Sequence, residues 1–178
     1  MRAGSEGAAV LSLLAAAVSA VCVHEAGHLL AARVLGIPLR RGAGGLFGVR
    51  LTFDFSRAGY GREALVHLAG PAAGLLSSLA AVWLFGEAGL RFGGISAALA
   101  VFNLLPVGGS DGGGALGCLL WAPVPPGSSF APWVPRILKG ADLAVRGALW
   151  MLSLRLALTG EPNVGLLLFG LGMAAGMA

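Results

Sequence analysis

The sequence contains few charged residues. Only 11% of its 178 residues are Asp, Glu, Lys or Arg, whereas soluble domains carry roughly 25%. The hydrophobic fraction is 57%, and the mean hydropathy is +0.85. So few polar side chains cannot cover a globule in water. We therefore expect an integral membrane protein in which residues 1–178 form a single membrane domain.

Cysteine is also scarce. Cys22 and Cys118 both lie in apolar runs, so we expect two buried thiols rather than a disulfide. The net charge of +4 comes from basic residues grouped at 33–62 and 136–155, a distribution typical of cytoplasmic loops. This charge therefore predicts no nucleic-acid partner. If these basic loops are cytoplasmic, the first helix runs inward and the N-terminus lies outside the cell.

Five apolar segments predict about five transmembrane helices, at 7–36, 63–85, 92–121, 142–158 and 162–178. For the first segment, a cleaved signal peptide is the alternative, but the apolar run of this segment continues to Leu35. The third segment is interrupted by one proline and five glycines between Asn103 and Gly114. Broken backbone at membrane depth is tolerated where it is buried in protein or lines a wet cavity, so this stretch is expected to wall a site.

Two connecting segments have other patterns. Residues 40–45 predict a loop, and residues 46–55 alternate apolar and polar side chains with aromatic enrichment, as strands do. We expect a small β-hairpin on the cytoplasmic side, with a disordered loop as the alternative. The proline-rich stretch 122–141 predicts a cytoplasmic loop. The expected fold class is thus all-α, with residues 7–121 forming a three-helix core.

A His-Glu-x-x-His set lies in the first apolar segment. On a helix, His24 and His28 are four residues apart and share one face, so two imidazoles could bind one metal ion. Glu25 lies about 100° around the helix, beside such a metal, where it could accept a proton from water. A chance match is the alternative, and the pattern needs a third ligand.

Asp111 is the candidate third ligand. If the basic loops are cytoplasmic, the first helix runs inward and the third runs inward again from about Arg91. Counting residues along both helices brings His24, His28 and Asp111 to the same cytoplasmic-side depth. Two imidazoles and one carboxylate suit a catalytic zinc site with an open position. The alternative for Asp111 is a helix cap, because Ser110 and Asp111 before glycines also suit a turn.

Two motifs together resemble those of the site-2 protease family of intramembrane zinc metalloproteases: His24-Glu25-Ala26-Gly27-His28, and Asn103-Leu104-Leu105-Pro106 followed by Asp111-Gly112. The similarity is greatest to the compact branch that includes stage IV sporulation protein FB. It implies one Zn²⁺ held by His24, His28 and Asp111, Glu25 as general base, and a substrate-binding role for Asn103, Pro106 and Gly112.

The resemblance has limits along the chain. Gly70-Pro71 matches a secondary signature of the family, whereas Gly74 stands where the family often has asparagine. His67 matches no family ligand, and we expect it at a helix interface, with a role in the substrate path as the alternative. The linker 107–110 lacks the prolines common in the family, which predicts a more mobile loop.

The leading functional expectation is a zinc endopeptidase that cleaves a membrane protein in or near a transmembrane segment. It would be a multi-pass protein of the cell membrane, bacterial as the resemblance implies, with its active site towards the cytoplasmic side. Its partners would be that substrate, the lipid bilayer, and a second copy of the chain or a regulatory membrane protein. The alternatives are a metal-ion carrier that uses the same His/Asp site without catalysis, and an inactive relative that binds membrane partners.

Overall fold

The computed structural model describes residues 2–45 and 48–159. The fifth predicted membrane segment, 162–178, and the first two residues of the predicted strand 46–55 lie outside this part. The described chain is mostly helical and contains five α-helices, one two-stranded sheet and a 3₁₀ turn at Gly86–Gly89. In chain order the elements are α1 Arg2–Val34, β1 Leu39–Gly45, β2 Gly48–Phe53, α2 Tyr60–Phe85, α3 Leu90–Leu104, α4 Asp111–Trp121 and α5 Trp133–Leu158.

Helix α2 is the central element and contacts α1, α3 and α4. Small residues allow these close approaches, as predicted for the Gly70–Gly74 stretch and for Gly27. A Cβ added at Gly27 would lie 2.5 Å from the carbonyl oxygen of Ala69, and one at Gly74 would lie 3.2 Å from the Cβ of Ala100. Helices that pack through glycine bring their backbones together, which is common between membrane helices.

Serine hydroxyls join α2 to α3. Ser96 donates to the carbonyl oxygen of Gly74 at 2.9 Å, and Ser78 donates to that of Gly93 at 2.7 Å. Both serines are buried. Hydrogen bonds of this kind satisfy polar groups within an apolar interface and fix how the two helices sit along each other.

The third apolar segment is interrupted, as the sequence predicts. Helix α3 ends at Leu104 and α4 begins at Asp111. Between them Gly109 has φ of +88°, which an L side chain rarely adopts. Val107 in the same linker is almost completely buried, so the broken backbone is packed against protein.

A β-hairpin is present, but the predicted loop at 40–45 is wrong, because these residues form most of β1. The strands are antiparallel, with Gly42 opposite Leu51. Residues 40–45 are mainly glycine and arginine, which have low strand preference, and only the pairing with β2 makes them extended. The one extra residue in β1, Arg40, forms a bulge and reaches Asp54 with its guanidinium at 2.8 Å.

The base of the hairpin packs on the helices. Ala32 of α1, Ile37 and Val66 of α2 form a buried cluster, and the rings of Phe53 and Phe55 pack against it. Asp54 lies at the surface beside this cluster. Hydrogen bonds from Ser56 and Arg40 hold the pKa of Asp54 at about 2, below its usual 3.8.

Helix α5 begins at Trp133, so the loop predicted over 122–141 is too long and the helix predicted at 142–158 is too short. Pro135 falls in the first turn of the helix, where the N–H that proline lacks has no helical partner anyway. The prolines therefore mark the start of α5 and do not exclude it.

The two cysteines differ in environment, although both are free thiols. Cys118 is buried as predicted, but Cys22 is exposed, so that part of the prediction is wrong. The buried positions of α1 recur every four residues, at Ala20, His24, His28 and Ala32. Cys22 lies two residues out of step with this stripe, on the opposite side of the helix.

Two stretches of the described residues are long and apolar enough to cross a membrane, Glu6–Val34 and Tyr60–Leu104. Within them, only 11% and 22% of the most apolar windows are buried. Their apolar side chains thus largely face outward, including Leu11, Leu14 and Trp83. The structure supports two candidate membrane segments, and the other predicted spans stay a prediction.

Candidate metal centre

The two histidines of α1 point towards the helices that pack on it. His24 and His28 are 4% and 6% exposed, and their Nε2 atoms are 3.2 Å apart. The rings meet edge to face, with centroids 4.9 Å apart. The i, i+4 spacing therefore brings two imidazole nitrogens to one point, as the sequence predicts.

Asp111 is the first residue of α4, and its carboxylate reaches the same point. Its Oδ2 lies 3.0 Å from His24 Nε2 and 3.3 Å from His28 Nε2. Ser110 is the N-cap, because its hydroxyl accepts the hydrogen bond from the Gly113 N–H at 3.1 Å. Ser110, and not Asp111, therefore caps the helix. The carboxylate of Asp111 faces the two histidines, a position that a helix-capping role does not explain.

The three donor atoms have a spacing that suits zinc. Their separations are 3.0, 3.2 and 3.3 Å. Ligands about 2.0–2.1 Å from a tetrahedral zinc ion are about 3.3–3.4 Å from each other. The triangle is thus close to one face of a zinc tetrahedron. Two imidazoles and a carboxylate are also a common catalytic zinc set, so His24, His28 and Asp111 could hold the metal.

The outer nitrogen of each ring has a different environment. His28 Nδ1 lies 2.7 Å from the carbonyl oxygen of Val66, which can only accept, so Nδ1 carries the proton. The lone pair of His28 is therefore on Nε2, the atom that faces Asp111. His24 Nδ1 is buried and has no hydrogen-bond partner within the described part of the chain.

Gly70 makes room for the second histidine. A Cβ at this position would lie 2.1 Å from His28 Nε2 and 2.5 Å from Cε1. Any side chain at 70 would therefore occupy the place of the imidazole. The glycine that resembles a secondary family signature has a direct steric reason here, because α2 passes against the ligand atom itself.

Glu25 lies beside the triangle and is not one of its corners. Its side chain is half-buried, and its charge interacts with both histidines and with Asp111. Among residues 2–45 and 48–159, no hydrogen bond or ion pair involves the Glu25 carboxylate. A carboxylate in this position has free lone pairs and can accept a proton from water at the site.

The three predicted substrate-binding residues lie around the α3–α4 break. Asn103 donates its side-chain N–H to the carbonyl oxygen of Leu99, one turn earlier in its own helix. Gly112 is buried, and a Cβ there would lie 2.1 Å from the carbonyl oxygen of Leu104. Pro106 is half-buried in the linker. Close packing explains the glycine at 112, while substrate contact by Asn103, Pro106 and Gly112 stays a prediction.

His67 of α2 lies next to the site, although the sequence did not predict it as a site residue. Its Nδ1 lies 3.8 Å from Asp111 Oδ1, and its ring packs 5.8 Å from that of Phe55. A Cβ at Gly114 would lie 2.5 Å from the ring. The available signal was its spacing, because His67 precedes Gly70 by three residues and so shares the face of α2 that meets His28.

No protein-family model matches this chain, and no curated protein matches its sequence.

Proposed function

We propose that this protein is an intramembrane zinc endopeptidase that hydrolyses a peptide bond in or near a transmembrane segment of another membrane protein. The observation that supports it is the meeting of His24, His28 and Asp111 from two helices, with donor separations suited to zinc. The resemblance of both motifs to those of site-2 proteases agrees with this reading.

Each residue of the site would have a distinct role. His24, His28 and Asp111 would hold the zinc ion. When bound, zinc supplies a Lewis acid that polarises a carbonyl group and makes nearby water nucleophilic at neutral pH. The carboxylate of Glu25 would accept the proton from the attacking water and pass it to the leaving amine. Asn103 and Pro106, at the broken backbone, would contact the extended substrate.

The membrane setting is part of the proposal. The two apolar stretches expose most of their hydrophobic side chains, which suits lipid contact more than the core of a soluble protein. With five spans and the basic residues at 33–62 inside, the N-terminus would lie outside a bacterial cell and the zinc site towards the cytoplasm. The partners would be the substrate and the bilayer, with a second copy or a regulatory membrane protein as a further partner.

The decisive experiment compares Glu25→Gln with the wild-type protein and with Glu87→Gln, a control in the 3₁₀ turn between α2 and α3. Purified proteins are mixed with a single-span model substrate, and zinc content is measured in parallel. We expect Glu25→Gln to abolish cleavage while retaining zinc, because it removes a base and no ligand. The control should cleave as wild type does.

A metal-ion carrier is the competing outcome. A carrier needs the three ligands but no general base, so zinc uptake into vesicles that depends on His24 and persists in Glu25→Gln would favour it. Cleavage by Glu25→Gln at the wild-type rate would exclude the protease mechanism. Equal zinc in Asp111→Ala and wild type would remove Asp111 from the ligand set.

A further inference from the structure

The linker between α3 and α4 is held by a side chain from α5. The carboxylate of Asp142 accepts a hydrogen bond from the backbone N–H of Gly108, with 2.6 Å between nitrogen and Oδ1. Helix α5 lies outside the group formed by α1, α2 and α3, and its contacts within the described chain are mainly with α4. Gly108 precedes Asp111 by three residues, so this bond lies close to the proposed third metal ligand.

Arg146 orients the carboxylate that makes this bond. Its Nε lies 2.9 Å from both oxygens of Asp142, one helical turn away. The side chains of Arg146 and Asp142 are only 11% and 19% exposed. Removing charges from water is costly, and the cost is offset only when the charges are paired and hydrogen-bonded. Both conditions hold here, which indicates a specific contact rather than a chance surface pair.

The bond acts on the part of the linker that other contacts restrain least, because Val107 on one side is buried and Ser110 on the other donates to the carbonyl oxygens of Leu105 and Val107. Gly108 and Gly109 have no side chains to pack, and Gly109 adopts a positive φ. Ser110 fixes the C-terminal end of the linker as the N-cap of α4. A charge-assisted bond at Gly108 fixes the backbone between Val107 and Ser110, so the linker enters α4 along one path.

We propose that Asp142 is a positioning residue for the metal site: through Gly108 it fixes the linker that presents Asp111 to His24 and His28, and α5 thereby belongs to the functional unit. The inference rests on the proposed function for its link to zinc. The restraint on the linker is independent of zinc, so the two can be tested separately.

The test uses full-length protein in detergent, with Asp142→Ala, Asp142→Asn and the control Lys139→Ala, an exposed residue of the same helix. Two quantities are measured: amide hydrogen exchange of residues 107–111, and zinc affinity by competition with a chelator. We expect Asp142→Ala to speed exchange in the linker roughly tenfold to a hundredfold. Its zinc affinity should fall roughly tenfold or more. Asp142→Asn keeps an acceptor oxygen for Gly108, so its losses should be smaller.

The control should match the wild type in both measurements. Exchange and zinc affinity of Asp142→Ala within twofold of the control would overturn the proposal. If Asp142→Ala does not fold, Asp142→Asn decides in the same way, because its neutral amide weakens the pair with Arg146. If the wild type binds no zinc, the proposed function fails, and linker exchange alone still confirms or refutes the anchoring role.

Discussion

Replacing Gly70 with alanine tests whether the spacing of the ligand triangle is needed for metal binding. The added methyl carbon would lie 2.1 Å from His28 Nε2. Ordinary contacts between non-bonded atoms are about 3.5–4.0 Å, so the imidazole or the helix would have to move by about 1.4 Å or more. Zinc sites tolerate errors of only about 0.2 Å in ligand distance.

The imidazole cannot easily withdraw. His28 Nδ1 donates to the carbonyl oxygen of Val66, one turn before Gly70 on the same helix, at 2.7 Å. Movement away from the new methyl group would stretch this bond or separate α1 from α2. We expect zinc affinity to fall by about 100-fold. We expect the free energy of unfolding to fall by about 1–3 kcal/mol, as overpacking does.

The matched control is Gly61→Ala on the same helix, where an added Cβ meets nothing within 4 Å. Alanine is favoured over glycine in helices by about 1 kcal/mol, so the control should bind zinc normally and be as stable as the wild type or slightly more so. Zinc affinity is measured by chelator competition, and folding by circular dichroism. Zinc affinity of Gly70→Ala within twofold of the control would refute the proposed role of the triangle.

Two further predictions concern the cap and the hairpin. Ser110→Ala should lower the free energy of unfolding by about 0.5–2 kcal/mol, because the Gly113 N–H loses its partner; denaturant unfolding measures this, and an unchanged midpoint would contradict the cap. Because the pKa of Asp54 is lowered from 3.8 to about 2 in the folded protein, its contribution to stability is complete above pH 4 and is lost as the pH falls towards 2. Thermal unfolding of Asp54→Asn should therefore differ from wild type at pH 6 and converge with it near pH 2; a difference independent of pH would contradict the interaction with Arg40 and Ser56.

Much of the metal centre could be predicted from local sequence patterns. The i, i+4 spacing of His24 and His28 fixes their common face on any helix. The glycines and proline before Asp111 predict that the helix is broken at this point. Counting residues along helices of known rise also predicts that Asp111 lies level with the two histidines, and the three side chains do meet.

Prediction from the sequence fails where contacts between segments far apart in the chain decide the local structure. Residues 40–45 become a strand only because β2 pairs with them, and strand pairing is not encoded in the local composition of either partner. The first turn of α5 contains Pro135, and composition alone cannot tell a proline that ends a helix from one that starts it. His67 lies at a helix interface, as expected, because its ring packs against Gly114 of α4, but only this packing could show that it also lies near Asp111.

The sequence by itself determined that the chain is apolar, mostly helical and broken before Asp111, and that two histidines share a helix face. These properties depend on composition and on spacing along one helix. Only the tertiary structure decided that the three donor atoms form a triangle of 3.0–3.3 Å, that Gly70 clears the place of His28, and that Asp142 holds the linker. Those properties depend on how helices pack, and packing at ångström scale is set by side chains that are far apart in sequence.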